Sequence, residues 1–128
     1  MSTRAIVAVH VEGGYETAWC WSDGQPSILG SDLKDNFKDE KSVKELVEMH
    51  SFAMIGDHED AAFWKRHRLP GDRISVICDN VFVLQHEHHG NVVAGRGENG
   101  LFPNVKTMLD EDVSCVYVFE NGQWELYL

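Results

Sequence analysis

Val113-Ser114-Cys115-Val116-Tyr117-Val118-Phe119-Glu120-Asn121-Gly122-Gln123-Trp124-Glu125-Leu126-Tyr127-Leu128 closes the chain, and its reading decides the fold class. Val113 to Phe119 is rich in β-branched and aromatic residues, as is expected of a strand. The Asn121-Gly122 pair then separates it from a second run, Trp124 to Leu128. Asn and Gly tolerate the positive φ angles of a two-residue type I′ turn, so the segment is expected to be an antiparallel hairpin.

Working outward, the same pattern recurs. Residues 4–11, Arg-Ala-Ile-Val-Ala-Val-His-Val, read as a strand, Glu12-Gly13-Gly14 as a turn, and Tyr15 to Trp21 as the return strand. Asp23-Gly24-Gln25-Pro26 ends it. Arg73 to Cys78 and Val81 to His88 are expected to form another antiparallel pair across Asp79-Asn80, with Asn91 to Ala94 extending the sheet. Helical signals are fewer. Ser31 to Phe37 suggests a short helix. Asp39 is placed to cap a stronger one, in which Val43, Leu46, Val47 and His50 fall at i, i+3, i+4 and i+7. Lys41, Lys44, Glu45 and Glu48 occupy its other face. From Ser51 to Gly71 the periodicity is unclear, apart from a helical turn expected around Ala61 to Lys65 and ended by Leu69-Pro70-Gly71-Asp72. Asn104 is a cap for a short helix through Leu109. The expectation is a single α+β domain over residues 1–128, mainly antiparallel sheet with one or two helices packed on one face.

Composition narrows the function classes. At 128 residues the chain has the length of one core, and burying roughly two-thirds of its unfolded surface would need no metal or disulfide. Cys20, Cys78 and Cys115 are odd in number and lie in apolar or strand-like runs, which points to reduced buried thiols. Met1-Ser2-Thr3-Arg4 runs directly into a strand, and no apolar run approaches the ~20 residues of a membrane span. The expectation is therefore a cytoplasmic protein that engages no membrane. A net charge of −10 opposes direct nucleic-acid binding over the surface as a whole; it permits a basic partner, and a role in solubility alone equally accounts for it.

Four constellations could carry chemistry. On a strand, His86 and His88 would share one face and could reach one divalent metal ion, with His58, His10 or Asp57 as a third ligand. Trp64-Lys65-Arg66-His67-Arg68, with Arg73 close behind, sets an aromatic beside cations and could bind a small anionic ligand such as a nucleotide. Gly95-x-Gly97-x-x-Gly100 matches the dinucleotide fingerprint by letter, but Pro103 and the short remaining chain leave no room for its βαβ unit, so it reads as a loop. Acidic clusters at 57–60, 110–112 and 32–40 could imitate nucleic acid, though Lys34, Lys38, Lys41 and Lys44 interrupt the longest stretch. No cysteine sits in an electropositive turn and no nucleophile elbow is present. Trp19 and Trp21 share a strand face, either packing or lining a pocket.

Both ends of the chain resemble a family of small uncharacterised proteins, many of them encoded by bacteriophages and prophages. The opening Met1-Ser2-Thr3-Arg4-Ala5-Ile6 is similar to the family's M-S-T-R start, and Cys20-Trp21-Ser22-Asp23-Gly24-Gln25-Pro26 to its C-H-W-D-G-Y-P turn. Cys20, Asp23, Gly24 and Pro26 agree, while Trp21 and Ser22 replace the family's His and Trp. The similarity runs through Gly30, Leu33, Val43, Leu46, Val47 and Ile55-Gly56, then resumes over Val116 to Trp124, covering about half the chain. Residues 57–112 match poorly. The resemblance implies a phage or prophage accessory protein working in the host-cell cytoplasm. Three functions are consistent with the residues. One is an accessory protein that binds a host protein or a small nucleotide. Another is a metal-dependent hydrolase using His86, His88 and His58. The last is a structural or virion-associated homo-oligomer, such as a homodimer formed through sheet edges.

Overall fold

In the computed structural model, residues 3–67, 69–78, 81–86, 97 and 99–128 are described, without the side chains of His58 and Asp60. The C-terminal hairpin forms as its turn chemistry requires. β7 (Cys115–Glu120) and β8 (Gln123–Tyr127) pair antiparallel, and Asn121 and Gly122 take φ angles of 55° and 76°. At the other end of the chain, β1 (Ala5–Val11) and β2 (Gly14–Cys20) form a second hairpin in the register Ala5↔Cys20 to Val11↔Gly14.

The two hairpins meet through a parallel pairing of β1 with β7, Ala5 opposite Cys115 and Val9 opposite Phe119. With β3 (Ser51–Phe52) parallel to β2, the sheet order is β3-β2-β1-β7-β8. β1 is central, and residues Ala5 to Val9 are all buried. That is why this strand reads as a continuous apolar run, since each of its faces carries a core.

Ala5, Val7 and Val9 face a wide helical turn (Pro26–Gly30), α1 (Ser31–Asn36) and α2 (Glu40–Val47), packing with Leu29, Leu33, Phe37, Val43 and Leu46. Asp39 caps α2, its carboxylate accepting the Ser42 backbone N–H at 2.8 Å. The expected extension of the apolar stripe to His50 is corrected. The helix ends at Val47, and His50 is exposed with a φ of 66°, a position outside the helix. Ile6 and Ala8 face the opposite side, where Trp19, Phe102, Met108, Val116 and Val118 form a second core under α4 (Val105–Leu109). Asn104 caps α4 as expected, accepting from Thr107 N at 2.9 Å. Fully burying a side chain of this size stabilises by about 1.5–3 kcal/mol, so these two cores carry most of the fold.

A second sheet holds β4 (Met54–Gly56), β6 (Phe82–Gln85) and β5 (Arg73–Val76) in the order β4-β6-β5, all antiparallel. α3 (His58–His67) packs on it, longer than the single turn expected around Ala61 to Lys65. The sheets are continuous through Ala53, whose N–H donates to Leu84 O at 2.6 Å, and through Gln85 Nε2, which donates to Ser51 O at 2.9 Å. Ile55, Val81 and Val83 belong to the same core as Leu33 and Phe37. The fold class is thus α+β with mostly antiparallel pairing. No helix among the described residues is long and apolar enough to cross a membrane.

The turn after β2 explains the residues of the Cys20–Pro26 motif. Asp23 has a φ of 57°, and a Cβ on Gly24 would lie 2.8 Å from Thr3 O and 2.9 Å from Ala5 Cβ. Only glycine lets the loop press this closely on the start of β1. Its carbonyl accepts the Tyr117 hydroxyl at 2.7 Å and the Cys115 thiol at 3.2 Å, and Pro26 opens the wide turn that follows.

Candidate functional site

Trp64, Lys65, Arg66, Arg73 and His86 lie on or next to the elements of the small sheet. Trp64 turns inward from α3 and lines a cavity of about 10 Å³ with Ala61, Met54, Ile74, Phe82 and Leu84. That volume is about what one water needs, far below a nucleobase. Trp64 meets the ring of His86 edge-on, with centroids 6.4 Å apart. His86 Nδ1 lies 2.8 Å from Asp72 Oδ1, and the Asp72 side chain is only 3% exposed. The other Asp72 oxygen accepts the Leu69 N–H at 3.0 Å. Asp72 therefore fixes the orientation of the His86 ring, a partner the sequence pattern did not suggest. No distance along the chain signals the pair.

The cations are arranged differently. Lys65 and Arg66 are exposed in the last turn of α3, where positive charge complements the helix dipole, and Arg73 is exposed at the start of β5. Lys65 Nζ lies 5.8 Å from the Phe82 ring centre. Arg68 and His88 lie outside the described residues, as do Asp79-Asn80, Asn91 to Ala94, and Gly95, Arg96 and Glu98 of the Gly-rich loop. His58 is the first residue of α3. Among the described residues β6 ends at Gln85, and His86 follows it directly. Among the described residues, no group of three or more His, Cys, Asp or Glu side chains is placed to hold a metal ion.

The structure reveals a surface that the sequence pattern did not point to. β8 is the outer strand of the five-stranded sheet, and a groove of about 250 Å³ runs along it. Pro26, Gly30, Leu33 and Lys34 form one wall, Trp124 and Leu126 the other. Tyr117 forms part of the lining and is held by its hydroxyl bond to Gly24. Gly30 allows the ring this position, since a Cβ there would sit 3.3 Å from the Tyr117 ring. Trp124 Nε1 donates to Phe37 O at 2.8 Å and ties β8 to the end of α1. Leu126 is 42% exposed, and Ile28, on the turn that builds the first wall, is 38% exposed. These are large apolar side chains facing water beside a strand edge that, among the described residues, no strand pairs, a liability in a monomer unless something uses it.

A wider cleft of about 420 Å³ opens at the carboxyl ends of β1 and β7, between His10, the Asn121-Gly122 turn and the Lys38–Glu40 segment. His10 Nδ1 lies 3.4 Å from Glu120 Oε1. Its charged groups are of both signs and largely exposed, so solvent screens them and no charge is focused. The buried thiols offer no nucleophile. Burial pushes the Cys20 thiol up to about 12 and raises that of Cys115. Both remain protonated and inert near neutral pH. Trp19 lies buried in the second core, where its ring centroid is 5.7 Å from that of half-buried Trp21. Comparison with protein-family models, with curated proteins and with solved structures found no match for the chain.

Proposed function

We propose that this protein is an accessory factor that acts by binding another protein and turns over no substrate of its own. The observation that carries this reading is the apolar groove beside β8, whose outer edge pairs with no strand among the described residues. Its walls include Pro26, Gly30, Leu33, Tyr117 and Trp124, all within the stretches that resemble small phage and prophage proteins. A phage-type origin and a host protein as the partner are part of the proposal. The alternative of a small nucleotide rests on exposed Lys65, Arg66 and Arg73. It is less favoured because the cavity under Trp64, at about 10 Å³, cannot accept a base.

Immobilised protein and its Leu126→Asp variant, both verified as folded by circular dichroism, are exposed to bacterial lysate and crosslinked. The expected result is a protein crosslinked to the β8 groove of the wild type and absent from the variant. A Phe63→Asp variant, altered on exposed α3, is expected to retain it. Equal capture by wild type and Leu126→Asp, or crosslinks only to α3, would overturn the reading.

A further inference from the structure

The partner's chemistry can be read from the backbone of β8. Asn121-Gly122 is a two-residue turn, so Glu120 and Gln123 exchange both ladder hydrogen bonds, and the pairing continues without a bulge to Val116↔Tyr127. Hydrogen-bonded and non-hydrogen-bonded pairs alternate along an antiparallel ladder. Gln123, Glu125 and Tyr127 therefore direct their N–H and C=O groups to β7, while those of Trp124 and Leu126 point out of the sheet. The side chains of Trp124 and Leu126 stand on the groove face, opposite Phe119 and Tyr117. Glu125 and Tyr127 stand on the other face, where the Tyr127 hydroxyl donates to Glu125 Oε2 at 2.8 Å.

We infer that β8 accepts an extended, cationic segment of the partner protein as a sixth strand, with alternate residues apolar. This rests on the reading of the groove as a binding surface and deepens it. Each incoming residue has a designated neighbour. Those on the groove face meet Leu126, Leu33 and the ring of Trp124, and exposed Lys34 disfavours a cation there. Those on the opposite face lie beside exposed Glu125, where Lys or Arg is the complementary choice. The net charge of −10 acts in the same direction over longer range. Backbone bonds to Trp124 and Leu126 supply affinity, and the alternation supplies specificity.

The charge also disfavours a second copy as the occupant. A two-fold β8–β8 pairing centred on Glu125 would set that carboxylate against itself, which destabilises a cross-strand pair.

The test uses the full chain, isotope-labelled, with a capped repeating Val-Lys peptide as the probe. Binding is expected to shift and protect the Trp124 and Leu126 amides. N-methylation of the alternate peptide residues whose N–H groups face β8, which removes the donors that strand addition uses, is expected to abolish binding. Glu125→Lys is expected to weaken binding about tenfold, and a Val-Glu repeat to fail. Shifts confined to other amides, unchanged binding after N-methylation, or dimerisation through β8 in light scattering would each overturn strand addition. If lysate capture still depends on Leu126 while the N-methylated peptide binds normally, the groove reading stands and strand addition alone fails.

Discussion

The two sheets bury their strands to very different depths. In the five-stranded sheet, Ala5, Ile6, Val7 and Ala8 of β1 are each 0% exposed, because both faces are covered. In the three-stranded sheet, β5 has no buried residue among Arg73, Ile74, Ser75 and Val76. α3 buries Ala61 but leaves Phe63 48% exposed. The smaller sheet depends on the larger one, since Ile55, Val81 and Val83 reach into the core built by Leu33 and Phe37. One sheet is a self-sufficient scaffold and the other an outgrowth of it. The difference teaches that opening of the small sheet need not disturb the large one, whereas loss of the large sheet removes both.

The most direct way to break this comparison is Phe102→Ala. Phe102 is 0% exposed in the second core, and its N–H and C=O bond to Tyr15. A loss of about 3–5 kcal/mol is expected, with both sheets unfolding in one urea transition. A loss near zero, or a small sheet that survives alone, would contradict the dependence. Thiol labelling sharpens the same point. Cys78, half-buried beyond β5, is expected to react about a hundredfold faster than Cys20 and Cys115, each 1% exposed between the strands of the large sheet. A single common rate for all three would mean that the sheets open together.

Tyr117→Phe removes the 2.7 Å bond to the Gly24 carbonyl and is expected to cost about 1–2 kcal/mol, measured from urea midpoints. An unchanged midpoint would show that the Cys115 thiol alone satisfies that carbonyl. Asp39→Ala is expected to have the smallest effect, because it frays only the start of α2. Hydrogen bonds from Ser42 hold the Asp39 carboxyl below its usual value. A lowered folded-state value contributes stability above the unfolded pKa and loses it as pH falls through the folded one. The gap between wild type and Asp39→Ala should therefore be present at about pH 7 and narrow towards about pH 3. A gap that widens in acid would overturn the assignment of the cap.

Much of this architecture was legible locally. Asn121-Gly122 and the caps Asp39 and Asn104 follow from turn chemistry, and the antiparallel pairing of β5 with β6 from short-range periodicity, although β5 ends at Val76 and not Cys78 and β6 begins at Phe82 and not Val81. β3 and β4 were not legible, since two or three residues are too few for any period to register. His50 illustrates a different failure. It continues the helical spacing by number, but the helix ends at Val47 and the chain has left it before His50. Of the candidate site residues, Trp64 and His86 do meet, yet the partner that orients His86 is Asp72, which no motif indicated. The β8 groove had no motif at all. Its apolar residues look like ordinary strand residues until the topology leaves that strand at an edge.

The sequence by itself determined where the chain turns, which helices are capped and which residues alternate between faces. Those features depend on φ preferences and on neighbours a few residues apart. Only the tertiary structure decided that Ala5 lies opposite Cys115, that β1 is central and that β8 is outermost. Such choices are set by the total surface buried when distant segments meet, a sum over contacts that no local stretch of sequence contains.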